Sequence, residues 1–319
     1  MIEFLYAVLL FLVLRFSVTL FNFLSNPKLG HYGRHFTDQV TVIVAASATD
    51  YAAQELLKAI SLQEYKQLEV LFQEDGLSLQ DVAEQASGRY LLFLDVQARP
   101  QHGLINNLIY RTKAFNLGLL SIIPTQQIKR LSAHCLLPLS DFLLLNLLPL
   151  RLVRLSGNQA FVTSNKECLF FDAQIYRQQQ LGQVHRNHTG SAAEMMRSLK
   201  KQKIAIEVLL GNRMLFQHSE LIQPDRLASR LFSILGSQPL VALFYIILVI
   251  GGPVLLMLYF DPILWVLPFG LIFLSRIMVS FVTAQQPLWN IVLHPLQMVL
   301  LGGLLLKAIW KQLLTSIKH

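Results

Sequence analysis

Four long apolar runs constrain this chain more than any other feature. Residues 2–24 read IEFLYAVLLFLVLRFSVTLFNFL, and residues 240–260, 263–282 and 288–309 are comparably apolar. Each is near the ~20 residues that a helix needs to cross a hydrocarbon core. The chain is 53% hydrophobic and only 14% charged, too apolar for an ordinary soluble protein. Its net charge of +8 would suggest nucleic acid as a partner of a soluble domain. No basic, aromatic-interleaved motif supports that, so nucleic acid is set aside. In a membrane protein, Lys and Arg gather on surfaces facing anionic lipid, and the bilayer is the expected partner. Cys135 and Cys168 lack metal-site spacing and read as small buried apolar residues of a reduced compartment.

The first run has Glu3 before it and Asn26-Pro27-Lys28 with Arg34 after it, the reverse of a secretory signal. Residues 1–25 are therefore expected to be an uncleaved anchor, with the following domain in the cytoplasm. Arg15, inside the run, must snorkel or face another helix. Residues 237–319 form a second membrane block. Its first span is broken at Gly251-Gly252-Pro253, its second contains Arg276, and its third is interrupted at His294-Pro295. Four full crossings would put Lys307, Lys311 and Lys318 on the wrong side, so the last segment is expected to be broken or re-entrant at His294-Pro295. The expected location is the cytoplasmic (inner) membrane, multi-pass. So few spans do not suffice for a transport pathway, although Arg15 and Arg276 are intramembrane charges.

Residues 26–236 carry a different pattern. Strands are predicted over 40–45, 68–72, 90–95 and 117–123, with helices over 52–61, 79–87 and 103–116 between them, which implies a parallel sheet with crossover helices. The stretch Gln85 to Arg99, QASGRYLLFLDVQAR, reads as a buried strand ending at Asp95. Ligands of open α/β sheets sit off the carboxyl ends of strands, where Asp95 would lie; alternatively Asp95 caps the next helix. Residues 136–153, LLPLSDFLLLNLLPLRLV, are split by Pro138, Asp141, Asn146 and Pro149, and so read as a membrane-surface or buried core helix rather than a span. Gln178–Gln180 and Lys200–Lys203 read as solvated faces.

The Gln85–Arg99 stretch resembles the A-x-G-x-x-L-L-F-L-D-A-D segment of family 2 glycosyltransferases. The resemblance extends through the anchor, the α/β domain, the LLPLRLV run and the closing apolar helices. It implies a GT-A-like fold: a mixed, mainly parallel sheet with crossover helices, plus N- and C-terminal transmembrane helices. It also implies Mg²⁺ or Mn²⁺ if the chain is active, and a lipid-like acceptor near LLPLRLV.

Position by position, the family's chemistry has eroded. The metal triplet D-x-D is Asp95-Val96-Gln97, a vestigial metal site with one carboxylate. The nucleotide loop P-x-R-N-E-E is Ala45 to Asp50, keeping only Asp50; Ser47 or Thr49 is expected to cap the next helix instead. The nucleobase motif D-D-x-S is Glu74-Asp75-Gly76-Leu77, where a solvated turn explains the residues as well. The tens of residues that normally follow, which complete the donor pocket, are reduced to Ser78–Gln85. On the acceptor side, A-N-G-Q-F has become Ser164-Asn165-Lys166-Glu167-Cys168, keeping Asn165, and a Y-R survives at Tyr176-Arg177. The general-base pair E-D is Ser191-Ala192; Glu194 lies about 200° further round the helix and points away. His185 and His188 sit in a polar loop and carry no metal or base assignment. In the LLGN…RMY-like segment, expected to be a strand over 209–214, Arg213 is the cation that would neutralise phosphate.

The resemblance thus implies a glycosyltransferase-like membrane protein that has lost turnover and serves as partner or scaffold of an active enzyme. The alternative is an active enzyme moving a sugar from a nucleotide sugar to a lipid or polyisoprenoid acceptor.

Overall fold

The computed structural model describes residues 2–73, 78–128, 130–163, 165–181, 192–218 and 223–317. The chain divides into two compact units. One comprises residues 1–26, 128–149 and 220–319, and the other residues 27–127 and 150–219. Within the expected domain 26–236, residues 128–149 and 220–236 group with the apolar ends.

The α/β unit is built on β1 (Val40–Val44), whose five residues are all buried. An apolar run with no polar face needs cover on both sides, and β1 has β2 (Leu68–Phe72) and β3 (Tyr90–Leu94) as parallel neighbours. The helix α2 (Tyr51–Ser61) joins β1 to β2 and buries Ala53, Leu56 and Ile60 along one stripe. Between β2 and β3 the short helix α3 (Leu79–Gln85) is closed at its start by a capping box of Ser78 and Asp81.

Gly88 enters β3 where only glycine fits. A Cβ there would lie 2.6 Å from the Thr41 backbone nitrogen. The Gly88 amide donates to Thr41 Oγ1 (2.9 Å), and Glu69 accepts from the Ser87 amide and hydroxyl (3.0 and 2.9 Å), tying all three strands together.

After β3 come β4 (Ala98–Pro100), α4 (Leu104–Phe115), β5 (Leu119–Ile123) and β6 (Thr125–Gln126). In this unit they are followed by α7 (Leu150–Leu155), β7 (Cys168–Asp172), α8 (Ala173–Gln178), the helix Ala192–Lys201, β8 (Ile206–Leu210) and β9 (Leu215–Gln217). The six-stranded sheet runs β2-β1-β3-β7-β5-β8, with β7 antiparallel to both neighbours. On one face Tyr90 stacks on Phe170 (5.0 Å); on the other, Phe93, Phe171 and Tyr176 cluster at 5.1–5.7 Å.

A second sheet, β4-β9-β6, continues the first: β3, β5 and β8 each run on into one of its strands. The strand expected over 209–214 in fact ends at Leu210. Asn212 and Arg213, both at positive φ, form a turn closed by Met214 N donating to Gly211 O (2.8 Å).

Lys200 corrects another expectation. It is buried, not solvated, and its ammonium donates to the carbonyls of Ser156 and Asn158 (2.8 and 3.0 Å). Burial lowers its pKa.

Among the described residues of the helical unit, four helices are long and apolar enough to cross a membrane: Glu3–Ser25, Pro239–Tyr259, Pro262–Thr283 and His294–Leu314. The first lies within α1 (Ile2–Ser25). The second contains a π-helical turn, Ile247–Gly251, just before Pro253, whose missing N–H breaks the regular ladder. Gly252 there meets Val8 so closely that a Cβ would lie 2.6 Å from its side chain. The expected break at His294 is present: Pro287–Val292 is a separate helix, and the last one starts at His294.

The segment 136–153 is not one element. Its first part is α6 (Pro138–Leu147), with residues 138–146 all buried, and its end is α7 in the α/β unit. Cys168 is buried in β7, which pushes its thiol pKa up, while Cys135 is half-buried.

Candidate functional site

Asp95 stands at the carboxyl end of β3, at the joint with the small sheet. It is half-buried, and its Oδ1 accepts from the Gln97 amide (2.8 Å) in a tight turn that leads into β4. It therefore caps a turn, not the following helix, whose first flanking residue is Gly103. Among the described residues nothing bonds its Oδ2. Gln97 is fixed through its backbone, its carbonyl accepting from His218 N (3.0 Å).

Glu167 belongs beside Asp95, though nothing in the local pattern assigns it there. The Asp95 amide donates to the Glu167 carbonyl (2.9 Å), so a second, buried acid sits beside Asp95 at the end of the neighbouring strand. Only the resemblance marks it: an acid stands in SNKEC where the family carries Gln. Among the described residues no group of three His, Cys, Asp or Glu could hold a metal ion. The donor set does not fit a resident divalent cation, because one or two carboxylates hold such an ion only with substrate phosphates completing its shell.

The remaining candidates are scattered. Asp50 is exposed and is itself the residue flanking α2, without a side-chain cap; Ser47 and Thr49 bond each other (2.9 Å) and cap nothing. Glu74, Asp75, His185, His188 and Ser191 lie outside the described residues. Asn165 is buried, its amide donating to Ser121 Oγ and Ile122 O (both 3.0 Å), so it ties the segment before β7 to β5. Lys166 is exposed. Arg213 is exposed, its amide donating to Thr125 Oγ1 (3.1 Å). Its charge and burial lower the pKa of Lys28, burial being the larger cause. Arg177 donates to Ala86 O (2.6 Å), and Tyr176 is core.

At the base position Ala192 is buried with Ala193, Met195, Met196 and Leu199, whereas Glu194 is exposed on the opposite face. An open groove of this unit, about 590 Å³, is lined by Gln39, Ser87, Arg89, Asp172 and Arg177. It lies at the amino ends of β1 and β3, away from Asp95.

The strongest electrostatic feature was invisible in sequence. Glu207 in β8 is fully buried and receives Arg111 through two bonds (Nε–Oε2 2.6 Å, Nη2–Oε1 2.7 Å), Arg154 (3.0 Å) and Arg151 (3.3 Å). Phe115 lies between Arg111 and Arg154, at 4.1 and 4.0 Å from their charges. One of these arginines, Arg151, comes from the LLPLRLV run and Arg154 directly follows it, so the end of that run is tied into the sheet's ion cluster. Burial is the main influence on Arg111, but Glu207 more than offsets it and raises its pKa; for Arg151 burial prevails and lowers it.

The fold is a mixed α/β sheet domain joined to a helical unit with four helices long enough to cross a membrane. No protein-family model matches the chain, and no curated protein sequence is significantly similar to it. Solved structures resemble it at low identity. A mannosyltransferase from Pyrobaculum calidifontis, solved with GDP-mannose and Mn²⁺, is 13% identical with a TM-score of 0.47, over 96% of this chain and 99% of that one. TarS from S. aureus (residues 1–349) is 11% identical with a TM-score of 0.37, over 80% of this chain and 90% of that one. Scores below 0.5 at such identities do not establish a shared fold.

Proposed function

We propose that this chain is a membrane-bound, glycosyltransferase-like protein of GT-A type that no longer turns over a sugar donor and acts as partner or scaffold for an active enzyme. One observation carries this reading. The position where the family keeps its general base is the buried, apolar Ala192, and Glu194, two residues on, is exposed on the other side of the helix. Without a base at that position the acceptor hydroxyl keeps its proton. The reduction of the donor-pocket segment to Ser78–Gln85 supports the same reading. We further propose that the α/β unit faces the cytoplasm, which surface labelling of a Ser78→Cys variant in intact cells would contradict if it succeeded.

The test is calorimetric titration of the detergent-solubilised protein with a panel of UDP- and GDP-sugars, with Mg²⁺ or Mn²⁺. Weak or no binding is expected, and tight metal-dependent binding would overturn the reading. The double variant Gln97→Asp, Ala192→Asp should likewise fold and stay inactive, because a base acts only on a substrate held at near-attack distance.

A second reading, an active transferase with a lipid or polyisoprenoid acceptor, is favoured by one observation: Glu167 beside Asp95. In that case these two carboxylates would hold a divalent cation together with a diphosphate, the cation neutralising the leaving group. Metal-dependent donor binding abolished by Glu167→Gln would support it.

A further inference from the structure

Within the helical unit, two arginines are buried without any acid. Arg15 in α1 is 6% exposed, and Arg276 in the helix Val266–Thr283 is 1% exposed. Among the described residues neither has a carboxylate within 4 Å. Their partners are neutral. Arg15 Nη2 donates to Asn146 Oδ1 (3.4 Å), and Arg276 Nε donates to His294 Nδ1 (2.8 Å). An imidazole nitrogen that accepts a hydrogen bond carries no proton there, so His294 adds no charge through it. Both guanidiniums stack on the Phe142 ring, 5.4 and 3.5 Å from its centroid, which leaves the two charges no more than about 9 Å apart. Arg15 Nε and Arg276 Nη2 are buried and make no hydrogen bond.

Two like charges this close, each with an unused donor, call for a neutralising group. A partner protein's carboxylate cannot reach side chains this deeply buried. The space available points to something smaller. A cavity lined by Arg15, Asn146, Ser275, His294 and apolar side chains offers about 20 Å³ to the centre of a water-sized sphere. A single water needs roughly 10–15 Å³ on that measure. One monatomic ion fits there, whereas a tetrahedral phosphate with its five heavy atoms does not.

We propose that this cavity is a binding site for a single halide-sized anion, chloride in the cell, held by Arg15 with Asn146, Ser275 and His294 around it and Arg276 adding its charge from across Phe142. The anion neutralises half of the buried charge and locks α1 and α6 to the helices that carry Arg276 and His294. The site is independent of whether the α/β unit binds a sugar donor.

The test uses the full-length protein in detergent at constant ionic strength, comparing thermal unfolding in sodium chloride, bromide and gluconate. Chloride and bromide should raise the midpoint saturably over gluconate, as expected for a ligand that binds only the folded state. The Arg15→Gln variant should lose at least 10-fold in halide affinity while its midpoint in gluconate stays level or rises, since a repelling charge has gone. A purely structural arginine would instead lower the midpoint in every salt. If that variant fails to fold, anomalous scattering from wild-type crystals grown in bromide decides: a peak in the cavity supports the site. Equal midpoints in all three salts, with water in the cavity, would overturn it.

Discussion

The two units treat buried cations in opposite ways. In the α/β unit, three arginines converge on one buried carboxylate, Glu207, which bonds to every one of them. In the helical unit, two arginines lie over one aromatic ring and bond only to neutral side chains. The first arrangement closes within its own unit, and Glu207 is the one member whose removal would strand the others. The second holds two like charges with no paired acid among the described residues. At about 9 Å and an effective dielectric of ~20, two positive charges repel by roughly 2 kcal/mol, which the helical unit bears unless an anion enters. What looks alike in a sequence, an arginine in an apolar run, is therefore paired with a carboxylate in one unit and with neutral side chains in the other.

The sharpest way to break the contrast is Glu207→Gln, which strands three cations. It should destabilise the α/β unit by about 3–5 kcal/mol, the usual cost of removing one partner of a buried pair, measurable as a fall in the denaturation midpoint. Arg111→Gln removes two charge-assisted bonds but leaves Glu207 its other two arginines, so a loss of about 2–3 kcal/mol is expected in the same assay. By contrast, Arg15→Gln in halide-free medium should change stability by less than about 1 kcal/mol or raise it, the repulsion term having been removed. A destabilisation as large as that of Arg111→Gln would erase the distinction.

The smallest effect concerns acid. Burial pulls the Glu69 pKa up, but hydrogen bonds from Thr41 and Ser87 outweigh it, and the net pKa lies below the usual 4.5. The stability this contributes is present above pH 4.5 and drains away as pH falls through the lower folded value. Glu69→Gln should flatten that part of an acid-unfolding curve.

Much of this architecture was legible in the residues. The runs VTVIV, LEVLF and YLLFL became strands within a residue of where the pattern placed them, because apolar runs bounded by Gly or polar turns permit little else. The small sheet was not legible: strands of two or three residues leave no periodicity. Neither was the Glu207 cluster, whose arginines stand 53–96 residues away in the chain, since local pattern carries no information about such pairs. Burial of Lys200 was not legible either, since a run of basic residues gives no sign that one of them finds buried carbonyls. At the candidate site, Asp95 was found and its neighbour Glu167 was not, as their adjacency depends on β7 running antiparallel between β3 and β5.

The order of synthesis gives the arginine pair a kinetic side. Arg15 is made with the first helix, Phe142 comes 127 residues later, and Arg276 and His294 come last. At roughly 5–20 residues per second, Arg15 waits on the order of tens of seconds for the rest of its cage. During that interval its charge has to be borne by lipid headgroups or by the insertion machinery, because no residue yet translated can enclose it. The helical unit is thus completed by its final hundred residues, and a nascent chain stalled before Arg276 would hold α1 only loosely, open to extraction and proteolysis.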